Sequence, residues 1–282
     1  MECTGFAFVA GGGSGIGKSV CLAFATGGVR GLVVADINLA AAIETAEACK
    51  KIAKSPDIKV EAVHMDVSLA DSVQNAINFM VKNFGRVDYC VNAVGVLGEH
   101  SDIAESGLES FQQTMNINTQ GVFLVMRAAS AAMAKQEPVL IDEARPVRGL
   151  SRGAIVNIGS IASYIVLPKS LQYVASKHAV LGLSRSGALD NIKHNIRVNC
   201  VCPSWVDTPM VSHVVNEFPP LHDFILSQMP MGRMGLPEEI ADVIVFLCSP
   251  KASWINGANI VVDGAMTIGV YTPAPPASAD ES

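Results

Sequence analysis

Short hydrophobic runs recur along the chain, and longer stretches in which apolar positions return every three or four residues lie between them. The runs are FAFVA (6–10), GLVVAD (31–36), VEAVHMDV (60–67), VDYCVNAV (87–94), AIVNIGS (154–160), NIRVNCVCP (195–203) and ANIVVDG (258–264). Most are nearly continuous rather than alternating apolar and polar, which is the pattern of strands buried on both faces of a parallel sheet. Helical periodicity follows from about Lys18 and again across 38–54, 69–84, 105–135 and 174–192. Such alternation predicts an α/β fold: a single Rossmann-type, doubly wound parallel sheet with helices on both faces and right-handed crossovers. One dinucleotide-binding and catalytic domain is expected over 1–270. The stretch KQEPVLIDEARPVRGLSRG (135–153) is long for a helix-to-strand connection and is expected as a surface insertion or interface element at the edge away from the ligand crevice. The Pro/Ala/Ser-rich acidic tail, 271–282, is expected to be disordered.

Composition sharpens this picture in three ways. Of 282 residues, half are apolar and 16% charged, as a sheet covered on both sides requires. A net charge of −6 with a pI near 5.5 argues against a nucleic-acid partner, which would need a basic face. The cysteines, Cys3, Cys21, Cys49, Cys90, Cys200, Cys202 and Cys248, are odd in number and several lie inside apolar segments, as suits reduced thiols of a cytoplasmic protein. Cys200 and Cys202 have no second cluster and the six histidines have no ligand spacing, so no metal is expected. The start, MECTGFAFVAGGG, lacks the marks of a secretory signal, and no apolar stretch approaches the roughly 20 residues of a membrane span.

The turn GGGSGIG (11–17) joins the first run to the first helical stretch, with Gly11, Gly15 and Gly17 spaced G-x-x-x-G-x-G. Glycines there let the backbone turn tightly and approach a pyrophosphate, whose charge meets the free N–H groups at the helix start. Gly13, Ser14 and Ile16 fall in the same turn. A plain strand-to-helix turn would also satisfy this spelling. Asp36, which ends the second run, adds weight: a carboxylate there accepts hydrogen bonds from both hydroxyls of an adenosine ribose and repels a 2′-phosphate. With no Arg or Lys at position 37, NAD is favoured over NADP. Asp66 and Val67 end the third run, where the adenine is expected. Asn92, Ala93 and Gly95 end the fourth, where small side chains would admit the cofactor. Gly17-Lys18-Ser19 mimics the end of a P-loop whose first glycine would fall at residue 12, but Asp36 and the tyrosine motif downstream favour a dinucleotide.

That tyrosine motif is QYVASKH (172–178), which sets Tyr173 and Lys177 on one helical face. Alone, the pair is common. Ser160 ends the run AIVNIGS thirteen residues before the tyrosine, and Asn118 stands in an Asn-x-x-Gly pattern with Gly121. Together with the glycine turn, Asn92-Ala93-Val94-Gly95 and Pro203-Ser204, these residues resemble the short-chain dehydrogenase/reductase family over about 4–270. The chain departs from the family pattern at Ala10, where threonine is usual, at Ala93-Val94 and at Ser204. The resemblance implies Tyr173 as general acid/base, Lys177 beside it and on the nicotinamide ribose, and Ser160 on the substrate oxygen. It further implies that Asn118 holds a water leading from Lys177 to solvent, and that Pro203, Val206 and Thr208 meet the nicotinamide end.

The chemistry explains these residue types. Moving a hydride from an alcohol carbon requires a proton to leave its oxygen, and a phenol ordinarily ionises only near pH 10. An ammonium about 4–5 Å away favours the phenolate by roughly 3–4 kcal/mol at an effective dielectric near 20. Ser160 lies in IGSIA rather than in a Gly-x-Ser-x-Gly elbow, so it is not placed as an acyl-transfer nucleophile. Leu97, Ser160, Ser163, Leu167 and Met210 are expected to line the substrate side, under an apolar lid across 207–234. No basic cluster in these loops calls for a phosphate, so the expected substrate is a neutral, mainly apolar, cyclic secondary alcohol or its ketone. An NADP-dependent ketoreductase, a non-redox lyase or cyclase and a dinucleotide-sensing protein remain open on the same residues. The resemblance also implies a homo-oligomer, dimer or tetramer, built on 105–133, 174–192 and 258–268.

Overall fold

In the computed structural model, which describes residues 3–269, all seven hydrophobic runs enter one sheet. Its strands are β1 (Phe6–Ala10), β2 (Gly31–Asp36), β3 (Lys59–His64), β4 (Tyr89–Asn92), β7 (Gly153–Ile158), β8 (Ile196–Pro203) and β9 (Asn259–Val262). A separate two-stranded ribbon, β5 (Val139–Leu140) and β6 (Leu150–Ser151), lies within the 135–153 stretch. The helices are α1 (Gly15–Gly27), α2 (Leu39–Ile52), α3 (Ala70–Phe84), α4 (Leu108–Met115), α5 (Val122–Met133), α6 (Leu171–Asn191), α7 (Pro209–Glu217), α8 (Pro220–Gln228) and α9 (Pro237–Cys248).

Alternate residues of each strand feed two cores, which is why the runs are continuous. Ala7 and Val9 of β1, with Leu32 and Val34 of β2, pack under α1, α2 and α9. Phe8 and Ala10, with Val33 and Ala35, pack under α3, α5 and α6. The sheet order is β3-β2-β1-β4-β7-β8-β9, all parallel. The chain therefore winds outward from β1 to β3, returns, and winds outward again from β4. The reversal opens a crevice past the carboxyl ends of β1 and β4, where doubly wound sheets take ligands.

Four boundaries differ from the sequence expectation. Helix α1 starts at Gly15, three residues earlier than the apolar period suggests, because the glycine turn itself closes the first turn of helix. The 105–135 stretch is not one helix: a π-helical segment, Asn116–Gly121, separates α4 from α5. The lid is two short helices, broken around Pro219 and Pro220. Helix α9 was not among the expected elements. Its start carries Pro237 in the first turn followed by Glu238 and Glu239, acidic residues that complement the positive end of the helix dipole.

The ribbon precedes β7 and so sits at the amino edge of the sheet, away from the crevice. Arg148 docks it, donating to Pro250 O (2.5 Å) and Ser253 Oγ (2.7 Å) and pairing with Asp142 at 3.2 Å. All seven cysteines are buried free thiols. Burial pushes the Cys49 and Cys90 thiols up to about 12. Among the described residues no helix is long and apolar enough to cross a membrane, and no group of His, Cys, Asp and Glu could hold a metal ion. The tail 271–282 lies outside the described residues.

Candidate active site

The glycine turn is built by close approach. Gly11 and Gly15 take left-handed backbone angles, φ +77° and +49°. A Cβ on Gly17 would lie 1.9 Å from Gly11 O, and one on Gly11 would lie 2.9 Å from the Ala93 carbonyl. Helix α1 thus starts directly against the turn, and the turn against the loop that follows β4. Ser14 occupies the N-cap position without a side-chain cap bond. Ile16 packs on the core beneath.

Asp36 stands at the end of β2, next to this turn. Its Oδ2 accepts from the Gly13 N–H at 2.8 Å and its Oδ1 from the Asn38 N–H at 2.9 Å, so the carboxylate is held at the crevice edge. Position 37 is an isoleucine, 63% exposed, and supplies no cation. Asp66 is oriented in the same way, its Oδ1 accepting from the Ser68 N–H (2.9 Å) and hydroxyl (2.7 Å). Val67 is buried against Gly121, where a Cβ would meet its Cγ2 at 2.8 Å. Asn92 is fully buried and donates to Val122 O at 3.3 Å.

Tyr173 and Lys177 both lie on α6. Lys177 is 4% exposed; its Nζ donates to Ile158 O at 2.9 Å and sits 5.7 Å from the centre of the Tyr173 ring. A Cβ at Gly95 would be 3.5 Å from both Lys177 Nζ and Asn118 Oδ1, so the loop after β4 passes directly over the pair. Ser160 follows β7 and caps a short 3-10 turn, Ile161–Ser163. Its Oγ accepts from the Ala162 N–H at 3.1 Å, and its own N–H points to Ser163 Oγ at 3.3 Å. Sequence separations of thirteen and four residues have become one cluster at the carboxyl ends of β4, β7 and β8.

Two of the expected residues make further contacts. Asn118, within the π-helical segment, gives both amide hydrogens away, to Val96 O at 2.8 Å and Ser176 Oγ at 3.0 Å, while its Oδ1 accepts from the Val96 N–H at 2.8 Å. These bonds clamp the loop after β4 onto α6. A π-helical insertion at such a point is a recurrent feature of functional sites. Ser163, expected to line the substrate pocket, is 3% exposed and donates to Lys177 O at 2.8 Å. It stands behind Ser160 and braces the α6 backbone.

The remaining positions ring the crevice. Thr208 caps α7, and its Cγ2 lies 3.4 Å from where a Cβ on Gly15 would stand, which brings the loop after β8 across the glycine turn. Pro203 and Val206 are buried beneath that loop. Leu97 and Leu167 are half-buried and Met210 is exposed. The loops that carry Leu97 and Leu167 are tied together by Ser101 N–H donating to Lys169 O at 3.0 Å. The lid's far end is held by Arg233, which grips Glu239 with two nitrogens at 2.7 and 2.8 Å. That guanidinium and the Leu236 N–H hold the Glu239 carboxyl down at about 2.

One contributor escaped the sequence reading. Gln172, 1% exposed, donates to Glu99 O at 2.6 Å and lies where a Cβ on Gly98 (φ +75°) would meet its Cγ at 2.8 Å. It pins the substrate-side loop from the residue beside Tyr173. A buried glutamine next to the tyrosine, with Gly98 just past the Asn92–Gly95 motif, was the available signal.

A turn whose glycines lie backbone to backbone at a helix start, the Asp36 carboxylate fixed beside it and Lys177 under the Gly95 loop are residues that fit a nicotinamide dinucleotide. A family model described as Enoyl-(Acyl carrier protein) reductase matches residues 10–267. The short-chain dehydrogenase fogB of Aspergillus ruber is 48% identical over 95% of this chain and 98% of its own. The chain belongs to the short-chain dehydrogenase/reductase family. This short-chain dehydrogenase/reductase is also 34% identical to the cyclohexanol dehydrogenase of an Acinetobacter species, over 93% of this chain and 94% of that protein. Among solved structures, levodione reductase superposes with a TM-score of 0.85 at 26% identity, covering 96% of this chain and all of that one. The protein is an oxidoreductase of the NAD(P)-dependent alcohol dehydrogenase/reductase type.

Proposed function

We propose that this short-chain dehydrogenase/reductase oxidises a mainly apolar, cyclic secondary alcohol to its ketone with NAD, reversibly. The observation that carries the cofactor choice is Asp36, fixed by the Gly13 and Asn38 N–H groups at the crevice edge with no basic side chain at position 37. A ribose diol donates to that carboxylate, and a 2′-phosphate is repelled by it. The relative named for cyclohexanol supports a ring alcohol as substrate, as does the apolar character of Leu97, Leu167 and Met210.

An oxidised nicotinamide dinucleotide bound in the crevice would supply the hydride acceptor. Gly11, Gly13, Ser14, Gly15, Ile16 and Gly17 would hold its pyrophosphate, Asp66 and Val67 its adenine, and Asn92, Ala93 and Gly95 the middle of the molecule. Pro203, Val206 and Thr208 would hold the nicotinamide end. Tyr173 takes the proton from the alcohol oxygen. Lys177, buried with its Nζ 5.7 Å from the centre of the Tyr173 ring, sets a positive charge beside the phenol. Ser160, whose Oγ already accepts from Ala162, has its hydroxyl hydrogen left to donate to the substrate oxygen. Asn118 keeps the loop after β4 in register with α6. Exposed Leu108, Phe123, Leu189 and Ile192 on or just past α4, α5 and α6 support assembly into a homo-oligomer through that face.

Initial rates with NAD and with NADP across a panel of cyclic secondary alcohols test the proposal. We expect NAD to be preferred by at least about tenfold in kcat/KM, equivalent to roughly 1.4 kcal/mol. Asp36→Ala should shrink that preference. A preference for NADP in the unsubstituted protein would reverse the cofactor assignment.

A further inference from the structure

Cys200 and Cys202 have no part in the reaction described above, yet they lie directly behind it. As alternate residues of β8 they leave the same face of the sheet, where they pack with Val180 and Leu181 of α6. Neither is exposed, and their sulfurs are 3.8 Å apart. Gly159 is drawn onto them by its N–H donating to Val201 O at 2.8 Å. A Cβ on Gly159 would lie 2.8 Å from Cys202 Sγ, 3.0 Å from Cys200 Sγ and 3.2 Å from Ser163 Oγ. The residue before Ser160 therefore rests on two sulfur atoms.

The Cys202 sulfur shares a hydrogen bond with the Cys200 thiol. That bond and the Lys177 charge hold the Cys202 thiol below its ordinary range despite burial, and Cys200 is pushed up by the same bond and by burial. Gly159, seated on both sulfurs, leads into Ser160, whose N–H points to Ser163 Oγ, and Ser163 gives its own proton to Lys177 O. The contacts therefore run from the two sulfurs through Gly159 to Ser160 and the backbone of Lys177.

We propose that Cys202 is a positioning residue: its sulfur, backed by the Cys200 thiol, fixes the turn from Gly159 to Ser163 and so sets where Ser160 presents its hydroxyl to the substrate oxygen. This rests on the oxidoreductase reading above. A sulfur that only filled space would be replaced better by alanine than by a buried serine. A sulfur that holds its place by sharing a hydrogen bond with Cys200 would be replaced better by serine.

The test compares Cys202→Ala, Cys202→Ser and Cys200→Ala in NAD-dependent oxidation of a ring secondary alcohol. We expect Cys202→Ala to lower kcat by about tenfold or more with KM for NAD changed less than about twofold, since small displacements of a reacting group carry large rate effects. Cys202→Ser should recover to within about threefold of the unsubstituted enzyme, and Cys200→Ala should lose about threefold. A Cys202→Ala enzyme with unchanged kcat, or a Cys202→Ser enzyme as impaired as Cys202→Ala, overturns the proposal. Should Cys202→Ala not fold, Cys200→Ala decides by itself, an unchanged kcat there being the contrary result. Absence of nicotinamide turnover in the unsubstituted protein overturns the oxidoreductase reading and this proposal with it; normal turnover with unaffected variants overturns this proposal alone.

Discussion

Tyr173→Phe should lower alcohol oxidation by about 10²–10⁴-fold, the usual contribution of a positioned acid–base group, and leave NADH affinity within about twofold. The substitution removes one oxygen and retains the ring, so the contact of Lys177 Nζ with the ring face, 5.7 Å from its centre, is kept. Lys177 also keeps its bond to Ile158 O, and Ser160 its cap on the 3-10 turn. The fold of the site therefore survives while the phenol beside the buried ammonium is lost. Fluorescence titration with NADH and initial rates on the same preparation separate the two effects. Turnover near that of the unsubstituted enzyme would remove Tyr173 from the reaction.

Gly17→Val should abolish measurable dinucleotide binding and lower the thermal midpoint by several degrees. The added Cβ would stand 1.9 Å from Gly11 O and 2.8 Å from Gly11 C, both backbone atoms that no rotamer change can move aside. Relief requires α1 to part from the turn, which also displaces Gly11 from its contact with the Ala93 carbonyl, and overpacking of this kind typically costs about 1–3 kcal/mol or more. Gly182→Ala is the control. It lies within α6 with nothing within 4 Å of its Cβ position, so alanine there should be neutral or stabilising by up to about 1 kcal/mol. Thermal unfolding and NADH titration of the two variants give opposite results if close packing at the turn holds the site.

How much of this was readable in the chain depended on whether the signal was local. The seven strands were legible because residues buried on both faces are apolar without interruption, as in FAFVA and GLVVAD. Tyr173 and Lys177 were legible because helical spacing alone puts them on one face. The π-helical segment at 116–121 was not, since its apolar positions follow the same period as the helices on either side. The break in the lid could have been read from Pro219-Pro220, and the start of α9 from Pro237-Glu238-Glu239. The bonds that Asn118 and Ser163 make within the protein were not legible, because spacing does not tell where an amide or hydroxyl hydrogen goes. The sulfurs under Gly159 depend on the register of β7 against β8, Asn157 beside Cys200 and Ile158 beside Val201, strands some forty residues apart.

The most direct measurement follows the carbinol hydrogen. A cyclic secondary alcohol carrying deuterium on its carbinol carbon is incubated with NAD and the enzyme, and the reduced nucleotide is collected and weighed by mass spectrometry. Direct hydride transfer to a dinucleotide bound over Tyr173 predicts that the deuterium is recovered on the nicotinamide ring as the ketone forms. Loss of the alcohol with no reduced nicotinamide, or reduced nicotinamide without the label, would contradict it.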